Sequence, residues 1–446
     1  MARAAKKETL LTPEEKLAQA LVPEEEQPFK LPDNWLWIPI GSINQYNSGN
    51  IEPAKQPESI FELYSVPSSV EGYPEIVSGQ EIGSTKQKVE KGDVLLCKIN
   101  PRINRVWKVS QHTENTLLAS SEWIVIRNSL VNPDYLMYCF RSPFFREYML
   151  SNVSGVGGSL MRAQPKHVQD YPVPIPPLAE QQRIVDRIES LFAKLDEAKE
   201  KAQAVVDSFE DRKAAILHKA FTGELTAEWK KRNGAPDWKQ VNLGSCLNTM
   251  ETRKPTGEFF FYIDIDSIDN KRQIVRAPKK TLVKEAPSRA SRAVHCGDVL
   301  FSMVRPYLKN IALIDEGLQD CIASTGFYVC SPKSNLDSKY LYHLLCSKDA
   351  IDYLMQYMKG DNSPSIRKDD LLNMEIMLPS LREQKQIEAI LDTILEKEQQ
   401  ANETAMAVID QIDAMKRSIF ARAFCGELGT NDPADESAEE LLKRVL

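Results

Sequence analysis

Pro177-Leu178-Ala179-Glu180-Gln181-Gln182-Arg183-Ile184 returns, 203 positions later, as Ser380-Leu381-Arg382-Glu383-Gln384-Lys385-Gln386-Ile387. The segment Ala220-Phe221-Thr222-Gly223-Glu224-Leu225 returns at the same offset as Ala423-Phe424-Cys425-Gly426-Glu427-Leu428. Because both pairs share one offset, the stretch between them has the same length in each copy. The chain therefore contains two copies of one segment whose length is kept.

The repeat continues, with more divergence, into the part that precedes each of these segments. Trp35 aligns with Trp238 at the same offset, whereas Gly92-Asp93-Val94-Leu95 aligns with Gly297-Asp298-Val299-Leu300 two positions further along. A changing offset indicates small insertions in the loops of a globular part. An internal repeat indicates a structural unit that occurs more than once, so it is considered before any other sequence signal. This one predicts two versions of a globular domain, each followed by a rod.

The rods have the hydrophobic spacing of long helices that pack on one another. Apolar or small residues recur at alternating steps of four and three between Ile184 and Ile216, and again between Ile387 and Ile419. This a and d spacing predicts a coiled coil. One acid, Glu398, stands where the first copy has Leu195. About 42 helical residues at 1.5 Å each give a rod of roughly 63 Å.

Both predicted helices have recognisable ends. Each begins after a segment that contains proline, and Ser380 with Glu383 fits a capping box, in which the hydroxyl and the carboxylate satisfy free amides of the first turn. Gly223 and Gly426 follow the last turns.

A single amphipathic helix of this length leaves its apolar stripe exposed, so we expect the two helices to pack on each other. Antiparallel pairing is the preferred arrangement, because it places the globular domains at opposite ends and turns the sequence repeat into a spatial two-fold. A coil that dimerises the chain is the alternative. Two rods of equal length in one chain argue against it, because an intermolecular coil does not require them.

The globular domains read as mixtures of strands and helices. Runs rich in aromatic and β-branched residues predict strands, and helical patterns follow them. We therefore expect the α+β (mixed α/β) class, with two repeated globular domains separated by two long antiparallel coiled-coil helices. The predicted strands are 94–99, 123–126, 259–263 and 326–330, and the predicted helices are 133–150 and 338–358.

Composition limits the function classes. The 446 residues carry 56 Lys and Arg against 63 Asp and Glu, a formal net charge of -7. No apolar run is long enough to span a bilayer and the first residues show no signal-peptide pattern, so we expect a cytoplasmic protein. The 8 cysteines form no Cys-x-x-Cys pair. We therefore expect neither a metal site nor a disulfide framework.

Two stretches are strongly basic although the total charge is acidic. Residues 271–292 carry eight basic side chains and one acid, while residues 98–108 carry four basic side chains and no acid. Salt screens charges beyond about 8 to 10 Å, so local clusters can still attract phosphates. A solvated surface is the alternative, and it is the preferred interpretation of the shorter stretch taken alone. Arg162 and Arg367 follow two polar loops and are secondary candidates for a phosphate contact.

Four segments together resemble the specificity (S) subunit of type I restriction-modification systems. They are Leu31-Pro32-Asp33-Asn34-Trp35, the Gly-Asp-Val-Leu strand, the Pro-Leu-Ala-Glu-Gln-Gln helix start and the Ala-Phe-x-Gly-Glu-Leu helix end. The likeness covers about residues 31–428 and includes both copies, and the doubled helix start is its most specific part.

The repeat and the resemblance together predict seven segments. The two ends, which lie outside the repeat, contain short helices that start after Thr12 and after Ser437. We consider three alternatives for these ends: they dock on methyltransferase subunits, they dock near each other, or they are frayed termini. The segments are an N-terminal extension (1–30), a first target recognition domain (31–177), a first spacer helix (178–225), a linker (226–235), a second target recognition domain (236–379), a second spacer helix (380–428) and a C-terminal tail (429–446).

The resemblance also implies a function. In that family each globular domain reads one half of a bipartite target in double-stranded DNA, and the helices set the gap and dock the methyltransferase (M) subunits. The S subunit is non-catalytic and binds no cofactor of its own. Two M subunits use S-adenosylmethionine, and two restriction (R) subunits use ATP and magnesium. The candidate DNA-binding residues here are Lys98, Arg102, Arg105, Lys108, Arg162, Lys271, Arg272, Arg276, Lys279, Lys280, Arg289, Arg292 and Arg367.

Two alternatives belong to other classes. Asn132-Pro133-Asp134-Tyr135 approaches the Asn-Pro-Pro-Tyr motif with which adenine methyltransferases hold a target amine, so the chain itself could be an enzyme. Its third position is acidic, however, and no glycine-rich turn for S-adenosylmethionine lies nearby, so a helix N-terminus is the preferred interpretation. The other alternative is a coiled-coil scaffold that binds only proteins.

Overall fold

The computed structural model describes residues 13–154 and 161–444. Their contacts divide the chain into two units. Unit 1 comprises the chain up to Lys201 together with the chain from Val408 onward, and unit 2 comprises Ala202–Ala407. Each unit therefore contains one globular part and portions of both long helices.

Helices of very different lengths occur along the chain. Within residues 13–154 and 161–444, none is long and apolar enough to cross a bilayer. The α-helices are α1 (Pro13–Ala20), α2 (Ile40–Ile43), α3 (Pro133–Arg141), α4 (Pro143–Ser151), α5 (Pro165–Val168), α6 (Leu178–Asp207), α7 (Phe209–Phe221), α8 (Ala227–Asn233), α9 (Ser338–Cys346), α10 (Lys348–Met355), α11 (Lys368–Leu372), α12 (Leu381–Phe424) and α13 (Ala438–Lys443).

The strands are short and fall into two sets, one in each unit. Unit 1 has β1 (Leu36–Pro39), β2 (Asn50–Ile51), β3 (Ile60–Tyr64), β4 (Glu75–Ser78), β5 (Lys86–Lys88), β6 (Val94–Cys97), β7 (Val106–Lys108), β8 (Thr116–Ala119), β9 (Trp123–Ile126), β10 (Val153–Ser154), β11 (Arg162–Ala163) and β12 (Pro172–Ile175). Unit 2 has β13 (Lys239–Asn242), β14 (Phe259–Ile263), β15 (Ile268–Asp269), β16 (Ile274–Val275), β17 (Lys279–Leu282), β18 (Ala290–Ala293), β19 (Val299–Ser302), β20 (Ile311–Leu313), β21 (Ile322–Ser324), β22 (Phe327–Cys330) and β23 (Glu375–Leu378).

The two globular parts repeat one arrangement of strands. The larger sheets have the orders β2-β5-β8-β3-β4 and β17-β14-β21-β18, and the three-stranded sheets have the orders β7-β6-β9 and β20-β19-β22. Strand β3 pairs in parallel with β8, as β14 does with β21. Strands β1 and β12 pair in unit 1, and β13 and β23 pair in unit 2. The four predicted strands correspond to β6, β9, β14 and β22, and the α+β class is confirmed.

Each predicted helix of the globular parts is in fact two helices. Ser142 ends α3 and its side chain accepts a hydrogen bond from the Phe145 amide at the start of α4. Ser347 divides α9 from α10 in the same way, with the Ala350 amide as donor. The hydroxyl of serine competes with the helical ladder and favours a new N-terminus. The prediction of one continuous helix at 133–150 and another at 338–358 is therefore wrong, because each range contains two helices.

The long helices run antiparallel in unit 1 and contact each other in unit 2. In unit 1, Lys199 Nζ lies 2.8 Å from Asp413 Oδ1, and Lys416, later in α12, pairs with Asp196, earlier in α6. From the first pair to the second, the residue on α12 lies nearer the C-terminus and the residue on α6 lies nearer the N-terminus. The two helices therefore run in opposite directions. In unit 2, α7 and α12 contact through Arg212, whose Nε donates to Glu398 Oε2 at 2.7 Å.

The Arg212 contact explains the acid in the heptad ladder, because an arginine on the partner helix neutralises Glu398. The same region contains an interruption that the sequence analysis did not predict, since α6 ends at Asp207 and α7 begins at Phe209. Ser208 Oγ donates to the Ala204 carbonyl at 2.6 Å. Side-chain bonding of this kind bends helices. Helix α12 is continuous over 44 residues.

A buried glutamine ties each long helix to its globular part. Gln181 Oε1 accepts a hydrogen bond from the Asn132 amide at 2.7 Å, directly before α3. Gln384 Oε1 accepts one from the Asp337 amide at 2.7 Å, directly before α9. Both glutamines are fully buried. The repeated Glu-Gln pair therefore joins the first turn of a long helix to the start of a helix in the globular part.

The glutamates before these glutamines are also fully buried, but their partners differ. In unit 1, Glu180 Oε2 accepts from Trp35 Nε1 at 2.7 Å and from Asn431 Nδ2 at 2.8 Å, and Glu180 Oε1 accepts from Thr430 Oγ1 at 3.2 Å. Burial raises the pKa of Glu180 above 4.5, although these hydrogen bonds act to lower the pKa. Glu180 thereby joins the start of unit 1 to the C-terminal segment.

The predicted capping box at the start of α12 is only half formed. The Glu383 amide donates to Ser380 Oγ at 3.3 Å, as expected. The Glu383 carboxylate does not return the bond, because its Oε1 accepts from Thr226 Oγ1 at 2.8 Å and its Oε2 has no partner among the described residues. The reciprocal half of the prediction is wrong, because the buried hydroxyl of Thr226 attracts the carboxylate away from Ser380. The predicted helix ends are confirmed, with Gly223 and Gly426 at φ 84° and 76° after α7 and α12.

Both ends of the described chain pack within unit 1. Helices α1 and α13 form as predicted, although Thr12 lies outside the described residues. The Ala438 amide donates to the Asn34 carbonyl at 3.1 Å, and Leu17 and Leu442 belong to the same buried cluster as Phe424. The two ends therefore lie near each other, which is one of the three outcomes considered.

Candidate nucleic-acid interface

Strand β14 of unit 2 presents aromatic side chains to solvent. Phe259 and Phe261 are 43% and 44% exposed, while the residues that alternate with them are buried. Strand pairing sets Lys280 opposite Phe261, so the two share the exposed face. Lys280 Nζ lies 3.9 Å from the centroid of the Phe259 ring. A surface that combines an ammonium group with aromatic rings can contact both phosphates and bases.

Lys279 differs from its neighbour because acids already face it. Its Nζ lies 2.5 Å from Asp264 Oδ2 and 3.7 Å from Asp266 Oδ2. The hydrogen bond with Asp264 raises the pKa of Lys279. A phosphate would have to compete with these carboxylates, so Lys279 is a weaker candidate than Lys280.

The turn between β15 and β16 carries two exposed cations on a fixed backbone. The amides of Lys271 and Arg272 both donate to Asp269 Oδ1 at 3.1 Å. Gln273, which follows with φ 54°, is buried, and its Oε1 accepts from Lys213 Nζ at 2.9 Å. The turn is thus anchored on α7, while the Lys271 and Arg272 side chains extend into solvent.

The remaining candidates around β16 and β18 have different surroundings. Arg276 and Arg289 are exposed. Arg292, on β18, is half-buried, and its Nε is a buried donor without a hydrogen-bond partner among the described residues. Unit 2 therefore contains the predicted basic residues on several elements rather than on one continuous strand.

Residues 303–309, the clamped loop of unit 2, join β19 to β20 and are held by a second segment. The Arg305 amide donates to the Pro364 carbonyl at 2.8 Å, and the Ile366 amide donates to the Met303 carbonyl at 3.0 Å. Arg367 follows this second segment, and its side chain is exposed. The Arg367 amide caps α11 by donating to Asp370 Oδ2 at 2.7 Å.

Residues 98–104, the clamped loop of unit 1, are held in the same way. The Asn100 amide donates to the Met161 carbonyl, and the Ala163 amide donates to the Lys98 carbonyl, both at 2.8 Å. Arg102 is exposed at the tip, while Lys98 is half-buried. Of residues 154–159, the polar loop that precedes Arg162, all but Ser154 lies outside the described residues.

The other candidates of unit 1 meet acids that are distant in sequence. Lys108 Nζ lies 2.5 Å from Asp134 Oδ1, and Arg162 Nη2 lies 3.3 Å from Glu122 Oε1. Arg105 is half-buried. The stretch 98–108 has no acid of its own, but the fold brings Asp134 of α3 to Lys108, and it brings Glu122, in the turn before β9, to Arg162. Among these residues Arg102 has the most accessible charge.

Asn132, considered above as the start of a catalytic motif, is an N-cap. Its Oδ1 accepts from the Asp134 amide at 2.8 Å, and its Nδ2 donates to Gln182 Oε1 at 2.8 Å. Asp337 caps α9 in the same manner through the Lys339 amide at 2.9 Å. A side chain that is bonded at both polar atoms is poorly placed to hold a target amine. The helix interpretation of this motif is confirmed.

Sequence reasoning missed several residues that the fold places on these surfaces. Phe259 and Phe261 were read only as strand residues, although their alternation with buried neighbours is the signal of a two-faced strand. Arg305, Tyr307 and Lys309 were not singled out. They lie 205 positions after the clamped loop of unit 1, which is the offset of the Gly-Asp-Val-Leu repeat.

Comparisons with known proteins agree in family and in fold. A family model described as the type I restriction modification DNA specificity domain matches residues 32–206 and again 237–409. The type I restriction enzyme EcoDI specificity subunit of Escherichia coli is 22% identical over 431 residues, which are 90% of each chain. The MjaVIII specificity subunit of Methanocaldococcus jannaschii is 21% identical over 429 residues, 90% of this chain and 94% of that protein.

Two solved structures share the fold. The HsdS subunit from Thermoanaerobacter tengcongensis superposes with a TM-score of 0.65 at 23% identity, over 90% of this chain and 99% of that chain. A chain solved to explain complex assembly and conformational transition of the type I R-M system superposes with a TM-score of 0.69 at 23% identity, over 90% of this chain and 100% of that chain.

Proposed function

This chain belongs to the family of type I restriction modification DNA specificity domains, and from that premise we propose that it selects the DNA target of a type I restriction-modification complex. Each globular part reads one half of a bipartite target. The observation that supports this proposal is the repeat of one strand arrangement in both units, which provides two similar reading surfaces in one chain. Base edges in the major groove carry the sequence information, and phosphate contacts fix the position of the reader.

The long helices set the gap between the half-sites and dock the M subunits. This part of the proposal rests on their length and on the buried glutamines that fix each helix to a globular part. A stiff connection between two readers imposes a defined number of unread base pairs.

The chemistry belongs to partner subunits in this proposal. Two M subunits transfer the methyl group of S-adenosylmethionine, and two R subunits use ATP and magnesium to translocate and cleave DNA. The chain itself is non-catalytic. Support comes from Asn132, whose polar atoms cap α3 and bond Gln182, so that it serves the fold.

A methylation assay tests the proposal. The purified chain is mixed with its M subunits, S-adenosylmethionine and a library of random-sequence duplexes, and the methylated positions are sequenced. We expect methylation at a split target that requires both the chain and the M subunits. Methyl transfer by the chain alone would support the enzyme alternative, and absence of any selectivity would support the scaffold.

A second assay tests the division of labour within the chain. Exchanging residues 236–376 for the globular part of another S subunit should change one half of the methylated target and leave the other half intact. Inserting four residues after Ala202 adds about 6 Å and 40° of helix, so the preferred gap should change by one or two base pairs of about 3.4 Å each. An unchanged gap in a folded, active complex would show that the helices do not set it.

A further inference from the structure

The two clamped loops share one unusual backbone geometry although their side chains differ. Of the five non-glycine residues with positive φ in the described chain, four lie in these loops. They are Asn100 at 49° and Asn104 at 53° in unit 1, and Arg305 at 48° and Lys309 at 52° in unit 2. In each loop the first of these residues is followed by a proline that opens a short 3-10 turn.

Glycine would satisfy this backbone without strain. A residue with a Cβ pays a steric cost in the left-handed region, whereas glycine enters it freely and asparagine is tolerated. Unit 2 nevertheless has arginine and lysine at the two strained positions. Strained non-glycine residues concentrate at functional sites, where the side chain itself is needed. Arginine and lysine on this strained backbone therefore point to a function for their side chains.

The surroundings of Arg305 fix its guanidinium and leave it accessible. One of its amino groups, Nη2, donates to the Asn362 carbonyl at 2.8 Å, while the residue remains exposed. Tyr307 beside it is 42% exposed. The facing segment adds the exposed cation Lys359, and its exposed acid is Asp361. A guanidinium held by one edge can offer its other donors to an anion.

In unit 1 the exposed cation of the equivalent loop is Arg102, and the backbone beneath it is fixed from another element. The guanidinium of Arg146, on α4, donates to the Arg102 carbonyl. Asn104 Nδ2 donates to the Phe140 carbonyl at 3.1 Å. Both loops therefore combine a rigid backbone with an accessible arginine.

We propose that each clamped loop holds a phosphate of the DNA backbone, through Arg305 in unit 2 and through Arg102 in unit 1. This assignment rests on the proposed function and adds to it one anchoring point for each half-site, although the two arginines stand at different positions of the repeated loop. The contact positions the reader and does not read bases. It therefore acts equally on target and non-target DNA.

Arg305→Gly tests the proposal, because it removes the guanidinium and at the same time suits the left-handed backbone. The variant is assembled with M subunits, and its binding is measured over a range of salt concentrations. The probes are a duplex that carries the target found by methylation sequencing and a scrambled duplex of equal length. We expect weaker binding to both, a slope of log Kobs against log salt that is smaller by about 0.9, an unchanged ratio between the two duplexes, and an unfolding midpoint that does not fall.

Arg102→Ala should lower the slope by a similar amount through unit 1. Lys91→Ala removes an exposed cation that precedes β6, at the end of that strand opposite the clamped loop, and serves as the charge-matched control, which should leave the slope unchanged.

The proposal is overturned if Arg305→Gly binds both duplexes as the unmodified complex does, or if its loss is confined to the target duplex while the salt slope stays the same. Failure of the proposed function looks different. In that case the unmodified complex itself would not distinguish the target from the scrambled duplex.

Discussion

Replacing Glu180 with alanine should strongly destabilise unit 1. Trp35 Nε1 and Asn431 Nδ2 both donate to Glu180 Oε2, and Thr430 Oγ1 donates to Glu180 Oε1. Trp35 is 3% exposed, so its indole N–H would lose its acceptor inside the protein, which costs about 1–3 kcal/mol. The two other hydrogen bonds contribute about 1 kcal/mol each. We expect the free energy of unfolding to fall by about 4 kcal/mol.

Glu180→Gln should be far milder, because the amide oxygen can accept from Trp35 and Asn431 while the amide nitrogen donates to Thr430. Burial raises the pKa of Glu180 in the folded protein above its ordinary 4.5, against the opposing effect of the hydrogen bonds. The folded state therefore favours the protonated carboxyl. As pH rises from 4.5 through the raised folded pKa, the unmodified protein should lose stability relative to the glutamine variant.

Urea unfolding, followed by tryptophan fluorescence and circular dichroism, measures these differences. Glu383→Ala is the matched control, because within the described part of the chain the Glu383 carboxylate accepts one side-chain hydrogen bond, from Thr226 at 2.8 Å. We expect this control to cost about 1 kcal/mol. The reasoning is refuted if Glu180→Ala costs no more than Glu383→Ala, or if the glutamine and alanine variants of Glu180 are equally unstable.

Three further predictions concern stability and are checked by urea unfolding. Burial acts to raise the pKa of Glu62, but hydrogen bonds from Tyr64, Thr113 and His112 hold the pKa below 4.5. The unmodified protein should therefore lose stability relative to Glu62→Gln as pH falls from 4.5 through the lower folded pKa, and a pH-independent difference contradicts this. Gly426→Ala should cost about 2 kcal/mol more than Gly429→Ala. The φ values are similar, +76° and +74°, but only a Cβ at position 426 would overlap the ring of Pro32. Equal costs contradict this prediction. Arg212→Leu should cost about 1 kcal/mol by leaving Glu398 unpaired, and adding Glu398→Leu should restore the stability; a double variant weaker than the single one contradicts this.

The sequence predicted the long helices well, because their stability follows from a periodic pattern that is local in the chain. The spacing from Ile387 onward and the glycine at 426 are sufficient to define α12. The interruption at Ser208 was missed because a serine is acceptable within a helix, and the hydroxyl that bonds the Ala204 carbonyl leaves no mark on the hydrophobic pattern. The Arg212 contact with Glu398 likewise depends on the register of two distant segments.

The candidate interface was less predictable, because the effective charge of a side chain depends on its neighbours in space. Lys108 and Arg162 looked free in the sequence, yet Asp134 and Glu122 reach them from other elements. The strained position of Arg305 could not be predicted either, since arginine is disfavoured at positive φ and the ordinary expectation there is glycine.

Unit 1 is built from two separate parts of the chain, and this affects the order in which the protein folds during synthesis. Its buried cluster joins residues such as Leu17 and Ile184 to Phe424, Ala438 and Leu442, so the ribosome must supply almost the whole polypeptide before this core is complete. Unit 2 is one uninterrupted stretch and can finish earlier. The customary order of cotranslational folding, amino-terminal part first, is therefore reversed. Nascent chains that stop short of the last forty or so residues should leave unit 1 incompletely packed and open to proteolysis.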